Sequence, residues 1–239
     1  MKIPPLPDTD LARIAPLPVD QKRRALEAFR LSHPPYRYVP FRKALPDILN
    51  IQTGFLRVTE RVPFASIEQT IRAESRSAEE LAANLLVAQS LYDHAAAGPI
   101  EGRSLELFPL SVGSGTKLVF WHSFLLIRDG QPIIPFFDPR RSTTRLTALA
   151  RQFVFSTMHE RIRAADPDFA EVKFAIWQFT SPSKGQPRVA FAHEENAIPL
   201  LSFEQIETMV QETYEMWADI YSRRAKTEPR RRASGAGFL

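Results

Sequence analysis

The hydrophobic residues change their spacing at Gly98. Up to residue 97 they recur every three or four positions, the period of an amphipathic helix; in the segment 78–97, for example, Leu81 and Leu85 share one face. Beyond Gly98 the chain contains short segments rich in β-branched and aromatic residues, which are typical of strands. Helices first and strands later predict an α+β protein.

Helix starts are marked by capping residues. Ser66 stands three positions before Gln69, and Ser77 stands three before Glu80, which is the spacing of a capping box. Apolar residues at helical spacing follow these and other start signals. The predicted helices span residues 21–30, 41–49, 78–97, 144–165 and 203–223.

The second half of the chain contains hairpin signals rather than regular β-α-β units. Asp129 and Gly130 separate two apolar segments, and Asp-Gly favours a two-residue hairpin turn. Apolar residues occupy both alternating faces of the segment 118–127, which predicts a central strand covered on both faces. We therefore expect N-terminal helices followed by a mostly antiparallel sheet with packed helices. The predicted strands are 104–111, 116–128, 131–138, 171–180 and 187–193.

Composition divides the chain into four parts. The first 18 residues hold five prolines, which remove backbone donors and predict an extended arm over 1–18. The last 16 combine Pro, Gly and a run of three arginines, which predicts a disordered basic tail over 224–239. Between them we expect a helical part over 19–97 and an α+β core over 98–223.

Composition also excludes several classes of protein. The absence of cysteine excludes disulfides, thiolate metal sites and a cysteine nucleophile. Residues 1–10 lack an apolar signal region and no apolar run reaches about 20 residues, so we expect no membrane span and a cytoplasmic location. The net charge of +4 is uneven, with +5 over 1–63, −6 over 64–222 and +5 over 223–239. Any nucleic-acid contact is therefore expected at the two basic ends.

Motifs for catalysis are largely missing. His159 and Glu160 begin like a zinc-protease helix, but Arg163 stands where the second histidine is needed. The segment 113–117 lacks the spacing of a phosphate loop and leads into a strand. We identify no catalytic residue, metal site or cofactor, and His122 is interpreted as a hydrogen-bonded core histidine.

One enzymatic alternative remains open. Asp138, followed on a later strand by Glu171 and Lys173, matches the pattern of a metal-dependent nuclease. In such a site two carboxylates hold Mg²⁺ and the lysine positions the attacking water. A simple pair of charges on a strand is the alternative interpretation of Glu171 and Lys173.

The segment 50–58 carries a binding motif, in which a glutamine is followed at the third and fourth positions by two apolar residues. Two adjacent apolar side chains can fill a pocket while a glutamine amide bonds at its rim. Arg57 and Arg61 would suit an acidic partner surface. The alternative is that the two apolar side chains pack into the core as part of a strand. The motif consists of Gln52, Thr53, Gly54, Phe55 and Leu56.

This motif, with the chain length and the basic ends, resembles the SocB family of bacterial toxins. The resemblance implies a toxin of a toxin–antitoxin pair that blocks replication elongation by binding the β sliding clamp. It implies that Gln52 bonds at the rim of the clamp pocket and that Phe55 and Leu56 fill it. It also implies two further partners, the antitoxin SocA and the ClpXP protease, to which SocA would deliver the toxin.

Overall fold

The computed structural model consists of one central sheet with helices on both faces. Of the strands, β1 (Ile51–Gln52), β2 (Ile100–Ser104), β5 (Phe124–Arg128), β6 (Gln131–Asp138), β7 (Lys173–Thr180) and β8 (Val189–Glu194) form this sheet, and β3 (Leu110–Val112) and β4 (Thr116–Leu118) form a small hairpin. The helices are α1 (Asp8–Ile14), α2 (Val19–Ala28), α3 (Val39–Ile48), α4 (Phe64–Glu74), α5 (Ala78–Ala97), α6 (Ala148–Met158) and α7 (Phe203–Thr227). The structure describes residues 3–30, 37–52, 60–98, 100–113, 115–141, 144–181, 186–196 and 198–227.

The sheet is mixed and mostly antiparallel. Its strand order is β1-β2-β5-β6-β7-β8, so β1 and β8 are the two edges. The pairs β2–β5, β5–β6 and β7–β8 are antiparallel, whereas β1–β2 and β6–β7 are parallel. The helix α6 connects β6 to β7, which is why that pair alone in the middle of the sheet runs parallel.

Two hydrophobic cores lie on opposite faces of the sheet. Successive residues of a strand point to opposite faces, so Phe136 and Ile176 enter one core while Phe137 and Trp177 enter the other. The first core includes residues of α1, α2, α6 and α7, and the second includes residues of α3, α4 and α5. Each fully buried large apolar side chain stabilises the fold by about 1.5–3 kcal/mol, so β6 and β7 support both layers of helices.

A buried polar network fixes α3 on α5. Glu80 is only 2% exposed and accepts hydrogen bonds from the backbone N–H groups of Arg37 and Arg76, each at 2.8 Å. It also pairs with the Arg76 guanidinium at 2.8 Å. One turn later, Asn84 Oδ1 accepts from Phe41 N at 2.9 Å, and its Nδ2 donates to Arg37 O at 2.8 Å. These bonds hold the first turn of α3, and α3 leads directly into β1.

Several predictions from the sequence are confirmed. The fold is α+β, with helices preceding most of the sheet. The helix over 78–97 has the predicted bounds, and the Ser77 hydroxyl caps it by accepting from Glu80 N at 3.1 Å. The strand over 131–138 also has the predicted bounds.

No helix of the described residues combines the length and apolar character needed to cross a bilayer.

The predicted single strand over 116–128 is wrong. It is split into β4, which ends at Leu118, and β5, which begins at Phe124. Phe120 and Trp121 both belong to the same core, although consecutive residues of a strand point to opposite faces. The chain must therefore leave the strand conformation to bury both rings. The strands covered on both faces are β6 and β7.

Two predictions for the N-terminal half are also wrong. The extended conformation expected over 1–18 fails at Asp8–Ile14, which forms α1 and buries Leu11. The prolines precede and follow this helix without interrupting it, and Pro residues are compatible with such positions. The capping box at Ser66 is absent because α4 already begins at Phe64, after the extended Pro63.

The end of the chain agrees only in part. The helix α7 continues to Thr227, four residues beyond its predicted end at residue 223. Residues 228–239 lie outside the described part of the chain. The division into parts at residues 18, 97 and 223 stays a prediction.

Replacement of Glu80 by Gln should destabilise the protein in a pH-dependent way. The hydrogen bond from the Arg76 side chain is the main reason why the pKa of Glu80 falls from 4.5 to about 2. A lowered carboxyl pKa stabilises the fold above about pH 4.5, and this contribution disappears as pH falls toward 2. We expect Glu80→Gln to lower the free energy of unfolding by about 1–3 kcal/mol at pH 7. Urea unfolding at pH 7 and at several lower pH values measures the difference.

Glu79→Gln is the matched control, because it removes an exposed carboxylate from the same helix turn. The difference in unfolding free energy between Glu80→Gln and the parent should narrow below pH 4.5. The unfolding free energy of Glu79→Gln should remain close to that of the parent at every pH. An unchanged gap at low pH would contradict the assignment of the network to the ionised Glu80.

Candidate functional site

Gln52, the first residue of the predicted binding motif, lies at one edge of the sheet. The backbone of Gln52 belongs to β1, where it pairs with Arg103 of β2. Thr53, Gly54, Phe55 and Leu56 lie outside the described residues, as do 57–59. The structure therefore shows the surroundings of the motif through the described residues on either side of the stretch 53–59.

The upstream end is fixed by a tight turn between α3 and β1. Leu49 is 2% exposed, and Asn50 adopts a left-handed conformation with φ 49°, which asparagine tolerates better than most residues. Ile51 then lies over Gly102 of β2. A side chain at residue 102 would place its Cβ 2.2 Å from Ile51 Cδ1, so glycine lets Ile51 pack closely on the neighbouring strand.

The downstream end is fixed on α5 by Tyr92. The Arg61 guanidinium lies 3.5 Å from the centre of the Tyr92 ring and donates to the Tyr92 carbonyl oxygen. The Tyr92 hydroxyl donates to Val62 O at 3.0 Å. Arg61 is thus bound to α5, and its suitability for an acidic partner surface stays a prediction. Arg57 lies outside the described residues.

The two ends are close to each other. Asn50, from the upstream turn, and Arg61, from the downstream end, line the same cavity of about 240 Å³ together with Ile48 and Ala95. The chain therefore enters and leaves the stretch 53–59 at one place, beside β1 and α5. Sequence reasoning did not identify Gly102 or Tyr92 as parts of this arrangement. An isolated glycine in an apolar pattern was the available signal for a close backbone approach.

The predicted nuclease site is wrong. Asp138 is the last residue of β6 and pairs with Gln178, whereas Lys173 is the first residue of β7 and pairs with Ile133. Five residues along a strand correspond to about 16 Å, and Glu171 precedes Lys173 at the far end. Oxygen ligands lie about 2 Å from Mg²⁺, so these carboxylates cannot share one ion. No cluster of three metal-ligating side chains occurs among the described residues.

Asp138 has a structural role instead. It is fully buried and accepts from Leu146 N at 2.6 Å, from Gln178 Nε2 at 3.0 Å and from Arg140 Nε at 3.1 Å. Loss of a buried carboxyl group that accepts from three donors would leave those donors unpaired, so Asp138 is costly to replace. It therefore ties the loop between β6 and α6 to the end of β7.

His122 lies among aromatic rings on the sheet. Its ring centre is 5.1 Å from that of Phe137 and 5.9 Å from that of Phe136. Burial is the main reason why its pKa falls to about 4, so the ring is neutral at physiological pH. Nδ1 has no hydrogen-bond partner among the described residues. These contacts give His122 a packing role.

Part of the basic C-terminal segment is engaged within the fold. Arg224 donates to Phe29 O at 2.9 Å and lies 5.6 Å from the centre of the Trp217 ring. Arg223 pairs with Asp219 at 2.8 Å. Arg224 thus fastens α7 to the end of α2, whereas Arg223 pairs within α7. A nucleic-acid site at the basic ends stays a prediction.

Comparison with known proteins places the chain in a family. The family model described as "Sliding clamp-binding bacterial toxin SocB" matches residues 9–227. The DNA replication inhibitor toxin SocB of Caulobacter vibrioides (strain NA1000 / CB15N) is 33% identical over 240 residues, an alignment that covers 100% of this chain and 98% of the relative. No solved structure matches the chain significantly. On this similarity over its whole length, the chain belongs to the SocB family of sliding clamp-binding bacterial toxins.

Proposed function

We propose that this protein is the toxin of a toxin–antitoxin pair and blocks elongation of DNA replication by binding the β sliding clamp. The observation that carries this proposal is membership of the SocB family over almost the whole chain. Gln52, Phe55 and Leu56 are the contacts in this proposal, with Thr53 and Gly54 as the spacer. Phe55 and Leu56 fill the apolar pocket of the clamp, and the Gln52 amide bonds at its rim.

The fixed ends of the motif support a role as a displayed peptide. Binding of a free peptide must overcome the entropy of ordering both of its ends. Here the upstream end is paired on β2, and the downstream end is bound to Tyr92 on α5. Both ends are therefore held before a partner binds, which favours tighter binding than a free peptide of the same sequence would give.

The mechanism in this proposal is occupancy of the clamp and not catalysis. A protein that fills the pocket competes with every other ligand that needs the same pocket, including the replicative polymerase. The separation of Asp138 from Glu171 and Lys173 removes the nuclease alternative as a competing explanation of toxicity. Because the clamp works on chromosomal DNA, the proposed site of action is the bacterial cytoplasm.

Control of the toxin is proposed to follow the family resemblance. In this proposal SocA binds the toxin and delivers it to the ClpXP protease, so that the clamp stays free while SocA is present. The α+β body, with two cores and a network around Glu80, must be unfolded for degradation. An adaptor would supply the local concentration that makes such unfolding efficient.

Substitutions in the motif should weaken binding to the clamp without unfolding the protein. Removal of a pocket-filling anchor from a peptide interface costs about 2 kcal/mol or more, which is roughly a 30-fold increase in Kd. We expect this loss for Phe55→Ala and for Leu56→Ala, and a smaller loss for Gln52→Ala. Isothermal titration calorimetry against purified clamp measures the change.

Leu86→Ala and Gln89→Ala serve as matched controls, because both side chains are exposed on α5. They should bind the clamp as the parent does. Thermal unfolding of each variant separates a displayed peptide from a packed core strand. If Phe55→Ala and Leu56→Ala lower the melting temperature strongly and leave clamp affinity unchanged, the two side chains belong to the core and the proposed contacts are wrong.

Degradation by ClpXP should depend on SocA. In a reconstituted reaction with ATP, we expect the purified toxin to persist with ClpXP alone and to disappear quickly once SocA is added. Loss of the full-length band on a denaturing gel gives the half-life. Degradation at the same rate with and without SocA would contradict the adaptor role, while the clamp titration above tests clamp binding independently.

A further inference from the structure

One face of the edge strand β8 lies on the α6 side of the sheet but is not covered by α6. Val189, Phe191 and His193 pair with Thr180, Gln178 and Ile176 of β7 and lie on the α6 side of the sheet. Val189 is 51% exposed, and neither Val189 nor Phe191 belongs to the described hydrophobic cores. The rings of Phe191 and His193 lie edge to face with their centres 4.9 Å apart. An aromatic ledge therefore lines this side of β8.

Two arginines of the α6 region stand beside this ledge. Arg151 Nη1 donates to Leu146 O at 3.2 Å and approaches Gln178 Oε1 at 3.5 Å. Arg145 lies in the loop before α6, and burial, followed by the charge of Arg145, lowers the pKa of Arg151. Of the residues that the structure describes, no carboxylate lies within 4.0 Å of either guanidinium. Two neighbouring positive charges thus have no anionic partner among the described residues.

Gln178 holds His193 in a defined orientation. Its amide Nε2 donates to Asp138 Oδ2 and to Leu146 O, each at 3.0 Å, so its Oε1 must face His193 Nε2, which lies 3.0 Å away. The imidazole therefore donates from Nε2. Burial, followed by the charges of Arg151 and Arg145, lowers the pKa of His193 to about 4. The ring is neutral at physiological pH and presents an uncharged aromatic face.

The acidic residues nearby are already engaged. Glu194 pairs with Arg128 at 2.7 Å, on the opposite face of β8 from His193. Glu195 pairs with Arg163, and Asp138 pairs with Arg140 at 3.1 Å. The positive field of Arg145 and Arg151 is therefore not neutralised from within the described fold, and it favours an external anion.

We propose that the groove between β8 and the start of α6 binds single-stranded nucleic acid. Arg145 and Arg151 contact the phosphates, and a base stacks on Phe191 beside His193. Guanidinium groups suit phosphate oxygens because they donate two parallel hydrogen bonds. Aromatic side chains bind bases of any sequence because every base has a π face.

The position of Phe191 favours a single strand over a duplex. Phe191 is half-buried on the α6 side of β8, so its ring offers a surface on which the face of a base can stack. A duplex keeps the faces of its bases stacked on each other and presents only their edges. A single strand can instead turn a base toward the ring.

The groove lies at the opposite edge of the sheet from the clamp-binding motif. Five strand spacings separate β1 from β8, which corresponds to about 24 Å. Both ligands can therefore occupy the protein at the same time. Nucleic-acid binding at β8 is independent of the proposed clamp contact, and variants in the groove leave Gln52, Phe55 and Leu56 unchanged.

Fluorescence anisotropy with the full-length protein tests the proposal. Labelled 12-nucleotide oligo-dT and oligo-U probes, and a duplex of the same length, are titrated at low and moderate salt. We expect one or both single strands to bind more tightly than the duplex, and affinity to fall with salt. The double variant Arg145→Ala/Arg151→Ala should lower affinity for the single strand about tenfold or more. The DNA and RNA probes show which of the two sources supplies the strand.

The control variant Arg23→Ala/Arg72→Ala removes the same charge from exposed positions elsewhere and should bind almost as the parent does. Phe191→Tyr keeps the aromatic face and should bind normally, whereas Phe191→Leu keeps an apolar side chain and should lose affinity. Melting temperatures identify any variant that fails to fold. Among the variants that fold, the comparison of Phe191→Tyr with Phe191→Leu tests whether binding needs an aromatic ring. Equal binding by those two variants, equal loss in both arginine double variants, or tighter binding to the duplex would overturn the proposal.

Discussion

The parallel pairing of β6 with β7 is the constraint on which the rest of the structure depends. Six residues of each strand are in register, and their alternating side chains enter two separate cores. Loss of this pair would detach both layers of helices from the sheet. At the carboxyl end of this pair, Gln178 donates a hydrogen bond to the buried carboxyl group of Asp138. One face of the pair supports α3 and α5, which hold the described residues on either side of the proposed clamp-binding motif.

The two edge strands of the sheet, β1 and β8, differ in their length and in their neighbours. An open edge presents unpaired backbone groups and invites association with other chains. At one edge, β1 is only two residues long and leads into the proposed peptide, so little free edge remains. At the other, β8 is longer, and basic side chains stand beside its outer face.

The motif itself was readable from the chain, whereas its surroundings were not. Gln52, Phe55 and Leu56 form a local pattern, and local patterns survive in sequence. The anchors at Gly102 and Tyr92 are 50 and 40 residues away from Gln52, and no spacing rule connects them to it. The nuclease hypothesis failed for the same reason. Asp138, Glu171 and Lys173 match a chemical pattern, but the strand register sets them at opposite ends of the sheet.

The sequence by itself determined the α+β class, the helix at 78–97 with its Ser77 cap, and the strand at 131–138, because periodicity and capping act over a few residues. It also contained enough similarity to establish the SocB family. Only the tertiary structure decided that Phe120 and Trp121 interrupt a strand to reach one core, and that the prolines near the start enclose a helix. It alone brought Arg145 and Arg151 next to Phe191. These outcomes depend on burial and strand register, which arise from contacts between residues far apart in the chain.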